Sequence, residues 1–222
     1  MYRGDDMARN KYPEITRARI LETAKKLFLE KGWEETTVQD IVDDLADVTR
    51  GAFYHHFQSK DDIIDAVTTL MFSGNFMTLI NENATLNING LNKLRNLLIS
   101  SFGIEEQLQF VKAAPSVLRS PIIIGKQVRD CINTIAPHIC KCIEEGNQDG
   151  SLRVDYPKQT AETFILLVNL WLNPITFTVT KEEYSDKISH LKALFEGIGL
   201  PVINDELFDL FEKYYDYIVQ NG

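Results

Sequence analysis

Apolar residues at Ile20, Ala24, Leu27 and Phe28 fall at i, i+4, i+7 and i+8, the spacing that lines one face of a helix. Pro13 is placed to open that helix and Gly32 to close it. Thr37 marks a second start, because its hydroxyl can accept an orphan amide while Asp40, three residues on, reaches back in a capping box; Ile41, Val42 and Leu45 form the inward side. Thr49 then precedes Arg50-Gly51-Ala52-Phe53-Tyr54-His55-His56-Phe57, and Ser59-Lys60-Asp61-Asp62 makes another capping box before an amphipathic run through Ile63, Ala66, Val67 and Leu70. The first sixty-odd residues thus predict three short helices and the start of a long one.

Helical patterning continues to the end of the chain, with breaks expected at Asn87-Ile88-Asn89-Gly90, at Ala114-Pro115, from Gly146 to Gly150 and from Gly197 to Pro201. Ser120-Pro121 has the order of a cap and a first helical residue, and Pro137 is expected to end or kink that helix before a further one to about Glu145. Pro157 opens the next helix, Thr180 and Glu183 form a capping box, and Asn204 or Asp205 caps a last helix packing Leu207, Phe211, Tyr214 and Ile218. No segment carries a convincing strand period, so the expected fold class is all-α. The expected division is a domain at 1–62, with 1–12 as an arm, followed by a helical domain at 63–222.

Composition narrows the class. Hydrophobic residues make up 44% of 222 and charged residues 25%, which fits a globular chain rather than a disordered one. The apolar run 164–179 is shorter than a membrane span and is interrupted by Asn169, Asn173 and Pro174, so it reads as a buried helix and no membrane partner is expected. The N-terminal residues carry acids where a signal peptide would be basic and then apolar, which points to the cytoplasm. Cys131, Cys140 and Cys142 offer neither a paired framework nor a zinc spacing, and no cofactor motif is present. Cys131, His138 and Cys142 share a helical stripe, yet seven residues of helical rise is about 10 Å, too far for one ion. The net charge of -9 argues against polyanion partners for the chain as a whole.

Against that vote stands one local arrangement. Two short helices joined by a tight turn, the second capped by a hydroxyl and bearing polar groups outward, are what a helix-turn-helix needs to enter the major groove. Val48, Phe53 and Phe57 can hold the unit together, leaving Thr49, Arg50, Gly51, Ala52, Tyr54, His55 and His56 to face a ligand. Arg50 can offer two donors to guanine O6 and N7, Ala52 can touch a thymine methyl, and Gly51 lets the backbone approach. Tyr54, His56 and Lys60 suit phosphate oxygens. His55-His56 does not read as a catalytic pair, since adjacent helical residues point about 100° apart and no acid is spaced to join them.

Residues 16–65 resemble the N-terminal domain of the tetracycline-repressor (TetR/AcrR) family of bacterial transcription regulators. The resemblance rests on Arg19-Ile20-Leu21, Ala24, Leu27-Phe28, Gly32, Thr36-Thr37-Val38, Asp40-Ile41, Gly51 through Phe57, and Ser59-Lys60. It implies a DNA surface made of Thr37, Gln39, Thr49, Arg50, Gly51, Ala52, Tyr54, His55, His56 and Lys60. The chain departs from the family pattern in the turn, Leu45-Ala46-Asp47-Val48, which lacks the usual glycine and counts one residue longer.

The distal part resembles the family by architecture, as an effector-binding and dimerisation domain. Met71, Phe102, Phe110, Phe164 and Trp171 are expected to line a cavity for a small apolar or amphipathic effector, though each alone is more often plain core. The helix from Pro157 is apolar on two stripes: Phe164, Leu167, Trp171 and Ile175 on one, and Ala161, Ile165, Val168 and Leu172 on the other. The second stripe is the expected interface of a homodimer. The acidic pairs Glu105-Glu106, Glu144-Glu145 and Glu182-Glu183 read as solvated faces. The expected function is ligand-responsive transcriptional regulation, in the form of a repressor binding a palindromic operator in double-stranded DNA as a dimer, with no enzymatic activity. An alternative from another class is a helical small-molecule carrier or enzyme with a vestigial helix-turn-helix. Its motive is the acidity and the aromatic-rich distal part.

Overall fold

The structure, a computed structural model, describes residues 13–102 and 105–221, with the side chains of 73–75, 105–107 and 221 left aside. The expected arm at 1–12, with Arg9 and Lys11, and the side chains of Glu105 and Glu106 lie outside the described residues. Helices are the sole regular element among the described residues, as the period of the sequence implies. The chain divides into two compact units, one ending at Thr69 and the other beginning at Leu70.

The first unit is built from α1 (Pro13–Lys31), α2 (Val38–Leu45), α3 (Arg50–His56) and α4 (Lys60–Thr69). Ile20, Leu21, Ala24, Leu27 and Phe28 of α1 bury against Ile41 and Leu45 of α2, Phe53 of α3, and Ile63, Ile64 and Val67 of α4. That burial carries the unit seven residues past the division expected at 62, because the first turns of α4 complete its core. Thr36, fully buried, satisfies its hydroxyl by donating to the carbonyls of Gly32 (2.8 Å) and Leu27 (3.3 Å). Gly32 takes φ 87° and stops α1 where the sequence places the stop.

The second unit opens with a π-helical turn, Leu70–Gly74, then runs through α5 (Asn75–Ala84), α6 (Gly90–Phe102), α7 (Glu105–Ala113), α8 (Pro115–Leu118) and α9 (Pro121–Asp130). A second π-turn, Cys131–Ile135, leads into α10 (Ala136–Asp149), and α11 (Pro157–Leu166) passes into a third, Leu167–Trp171; α12 (Lys181–Gly197) and α13 (Asp205–Asn221) follow. Its core gathers Leu94 and Leu97 of α6, Ile139 and Ile143 of α10, Phe164 and Ile165 of α11, Ile188 and Phe195 of α12, and Leu207 and Phe211 of α13. The run Lys60–Ala84 has the length and composition to cross a membrane, but Ile63, Ile64, Val67 and Met71 within it are buried in the protein.

Two expectations are corrected here. The further helix expected at Pro137 does begin there: α10 starts at Ala136, after the π-turn resets the hydrogen-bond register, so the residue without an N–H falls in its first turn. Gly146 is no break, and α10 continues through it to Asp149, stopping at Gly150 with φ 80°. The close approach belongs to Gly90 at the start of α6, where a Cβ would overlap the Gly146 amide and the Cys142 carbonyl; a Cβ on Gly146 would meet the Leu152 side chain. The helix from Pro157 ends at Trp171, so Ile175 lies beyond it and packs with Val111 and Ile218. The caps at Thr180 with Glu183 and at Asn204, whose Oδ1 accepts from the Leu207 amide at 3.0 Å, form as the sequence implies.

Candidate nucleic-acid interface

α2 begins with the capping box. The Asp40 amide donates to Thr37 Oγ1 at 3.1 Å, and Asp40 Oδ2 accepts from the Thr37 amide at 2.8 Å and hydroxyl at 2.6 Å. These hydrogen bonds, with Lys31 at 3.1 Å, hold the Asp40 carboxyl down at about 2. Thr37 is therefore exposed but committed to its cap, and Gln39, also exposed, donates to Asp43 Oδ1 at 2.7 Å.

The turn into α3 is made without glycine by Ala46 at φ 57°, ψ -35°, where the Asp47 amide donates to the Leu45 carbonyl at 2.6 Å. Thr49 then caps α3, its Oγ1 accepting from the Ala52 amide at 3.2 Å. Val48, Phe53 and Phe57 are buried, at 6%, 0% and 3% exposure, and fix the helix from beneath. The opposite side carries Thr49, Arg50, Gly51, Tyr54 and His55, all exposed, with Ala52 and His56 half-buried beside them. The structure thus brings seven of the expected residues onto the outward side of one seven-residue helix and its cap. The Arg50 guanidinium lies 5.9 Å from the Tyr54 ring centre, one turn on, and a Cβ added at Gly51 would meet nothing closer than Thr49 Oγ1 at 3.9 Å. No internal packing demands glycine there.

His56 sits partly under neighbours, and burial first, then the adjacent His55 and Arg17, pull its pKa below the ordinary histidine value. Arg17 of α1 lies over the Phe57 ring at 5.1 Å. The Lys60 ammonium lies 4.1 Å from the Trp33 ring centre and donates to the Glu34 carbonyl at 3.1 Å, against the α1–α2 loop. Burial accordingly lowers its pKa. The start of α4 is likewise self-capped, since Ser59 Oγ accepts from the Asp62 amide at 3.1 Å and Asp62 Oδ2 accepts from the Gln58 amide at 2.9 Å.

The acids of α2 and the turn are not left bare. Asp40 pairs with Lys31 (3.1 Å), Asp44 with Lys26 (3.3 Å), and Asp47 receives both arms of the Arg19 guanidinium at 2.6 and 2.8 Å. Arg19 holds the Asp47 carboxyl below its usual range. Trp33, Arg17 and the Arg19–Asp47 pair are the participants that sequence reasoning missed; no spacing rule links residues 28 apart.

In the second unit the other expected residues do not converge. Phe102 meets Phe211 (5.0 Å) and Tyr214 (5.1 Å), and Phe110 meets Phe72 (6.1 Å); Phe72, Tyr214 and Tyr217 pack on the group of Val111, Ile175 and Ile218. Phe164 instead faces Phe195 of α12 at 5.0 Å. Trp171 is half-buried against His190, with the Lys187 ammonium 4.7 Å from its ring and donating to its carbonyl at 2.9 Å. Met71 is buried. The interface stripe is also corrected. Ala161, Ile165, Val168 and Leu172 are all buried within their own unit, whereas Leu167 and Trp171 of the other stripe are only half-buried. Cys131 and Cys142 are buried too, which pushes their thiols up to about 12 and about 11. Among the described residues no three His, Cys, Asp or Glu gather as a metal would need.

A capped seven-residue helix with a basic, glycine-bearing outward side, set by a tight turn on a second helix, defines a helix-turn-helix DNA-binding protein. Residues 20–67 match the family model described as bacterial regulatory proteins, tetR family. The chain is 26% identical over 152 residues to the HTH-type transcriptional repressor DhaR of Mycobacterium sp. (strain GP1), a match covering 68% of this chain and 76% of that one. It is 46% identical over 52 residues to the HTH-type transcriptional regulator TtgR of Pseudomonas putida, covering 23% and 24%. The fold is shared with the crystal structure of a TetR-family transcriptional regulator from Pectobacterium atrosepticum, at TM-score 0.62 and 21% identity, over 86% of this chain and 98% of that one. Residues 20–67 thus carry the DNA-binding domain of the tetR family of bacterial regulatory proteins, and the chain is similar over 152 residues to a repressor of transcription.

Proposed function

We propose that this protein is a homodimeric repressor that binds a palindromic operator through α3 and is released by a small, neutral, largely apolar effector. It acts by binding rather than catalysis, in the cytoplasm where its DNA lies. The observation that carries the reading is α3 itself: Arg50, Gly51, Ala52, Tyr54 and His55 face outward while Phe53 is wholly buried. Arg50 in the first turn is the base reader, donating to guanine O6 and N7, and Tyr54, Thr49 and His56 position the backbone through phosphate oxygens.

Phe72, Phe102, Phe110, Tyr214 and Tyr217 are the better candidates for the effector site, since they form linked aromatic contacts, with the Tyr214 hydroxyl, kept protonated by burial, as a polar handle. The dimer surface moves to the residues that remain uncovered: Leu167, Leu170 and Trp171, half-buried, with exposed Leu194 of α12 and Ile198 just past its end. An effector that prefers the non-binding state by ~1–3 kcal/mol would weaken operator binding about 5–150-fold.

The test is a mobility shift with the duplex upstream of the protein's own gene. Arg50→Ala should cost about 1–3 kcal/mol and relax specificity at one base pair per half-site. Tyr54→Phe should weaken all sequences alike. Unchanged affinity and specificity in both variants would remove α3 from the groove.

A further inference from the structure

Asp47 stands two positions before Thr49, the cap of α3, and its carboxylate is 62% exposed. An acid at that place would repel the phosphates that flank a groove-bound helix. It is not free, however. Arg19 of α1 grips it with both arms, Nη1 to Oδ2 at 2.8 Å and Nη2 to Oδ1 at 2.6 Å, and the arginine side chain itself is 45% exposed. A phosphate asks the same of a guanidinium as a carboxylate does, namely two parallel N–H donors. In helix-turn-helix docking the first helix of the motif and its neighbours lie against the DNA backbone, so an exposed arginine packed beside the turn is the natural phosphate ligand. Here its fork is already occupied by a residue of the same chain.

We propose that Asp47 is a specificity-determining residue that withholds Arg19 from DNA phosphate, weakening sequence-independent binding while leaving the base contacts of α3 untouched. The inference rests on the reading of α3 as the groove helix. On arbitrary duplex, forming an Arg19–phosphate contact means giving up two charge-assisted hydrogen bonds to Asp47, so little is gained. On the operator, Arg50 supplies what the backbone does not, and the ratio of specific to non-specific affinity widens. Asp44 and Asp40 restrain Lys26 and Lys31 in the same sense, with contacts at 3.3 and 3.1 Å.

The experiment titrates the full chain with a fluorescein-labelled duplex of about 30 random base pairs over about 50–200 mM NaCl. Wild type, Asp47→Asn, Arg19→Ala and the double variant are compared, with unfolding midpoints measured alongside and Asp47→Glu as the variant that keeps the pair. Asp47→Asn should bind about 5–10-fold more tightly at ~0.1 M salt, with a salt slope steeper by about 0.9, the value of one added phosphate contact. Arg19→Ala should gain nothing, the double variant should return to within about two-fold of wild type, and Asp47→Glu should keep the wild-type slope. An unchanged affinity and slope in Asp47→Asn would overturn the proposal. So would a double variant as tight as Asp47→Asn, because the gain would then come from lost repulsion and not from a released Arg19. If neither wild type nor any variant bound duplex at the lowest salt, the groove reading itself would fall, an outcome distinct from binding with an unresponsive slope.

Discussion

Ala46 shows how a residue readable in the sequence acquires its meaning from geometry. That the turn lacks glycine is plain from Leu45-Ala46-Asp47-Val48, but that Ala46 itself takes φ 57° is not, because the demand for a left-handed residue comes from the angle at which α2 and α3 pack. An L-residue there costs roughly 1–2 kcal/mol, and a glycine would remove that while losing about 0.5–1 kcal/mol to its freer unfolded chain. Ala46→Gly should therefore raise the stability of the first unit by about 0.5–1 kcal/mol. Urea unfolding followed through Trp33 fluorescence checks it, and a lowered midpoint would show that the turn carries no strain. Lys60 makes the complementary point. Its identity suggests a phosphate ligand; that it lies against Trp33 and the Glu34 carbonyl is signalled by no spacing. The outward residues of α3 were legible because one element, with Phe53 inward, places them all.

At the scale of elements, starts were legible and internal features were not. Thr37, Thr49, Thr180 and Asn204 cap where hydroxyl and amide chemistry says they should, since a cap depends on three or four adjacent residues. The π-turns at Cys131–Ile135 and Leu167–Trp171 insert a residue into the register, and that defeats any face assigned by counting in threes and fours across them. Gly146 reads as a breaker for the same reason that Gly90 reads as a loop: sequence records the missing Cβ and not what lies against it, the Leu152 side chain at one and the α10 backbone at the other. The contact is specific enough to test. Gly90→Ala would drive a methyl into the Gly146 amide and Cys142 carbonyl, backbone atoms that cannot rotate away, so α6 must lift from α10. The expected cost is about 1–3 kcal/mol. Far-UV circular dichroism on heating reads it, and a variant as stable as wild type would show that the two helices do not meet through their glycines.

For the whole molecule, the acidity that speaks against DNA turns out to be distributed rather than opposed to function. The residues up to Asp62 hold ten basic and thirteen acidic side chains. Three of those acids are paired to α1, and the outward side of α3 carries none. Of the two apolar stripes on the helix from Pro157, the one through Ala161, Ile165, Val168 and Leu172 is buried within the same chain, since hydrophobic period specifies burial and is silent on the partner. What the proposed dimer leaves for a second copy is apolar surface that patterning alone would discard as ordinary: Leu194 at 39% exposure in the last turn of α12 and Ile198 at 44% just past its end. Both side chains point away from the core, so Leu194→Asp with Ile198→Asp should leave helix content unchanged. The doubly substituted chain should sediment as a monomer at concentrations where the wild type is a dimer, because two carboxylates would have to be desolvated in the interface. Operator affinity should fall with it, by about 10²–10⁴-fold, the advantage lost when two recognition helices are no longer tethered to one another. A substituted chain that stays dimeric would place the two-fold axis on another surface, and one that turns monomeric yet binds the operator undiminished would show that a single α3 suffices.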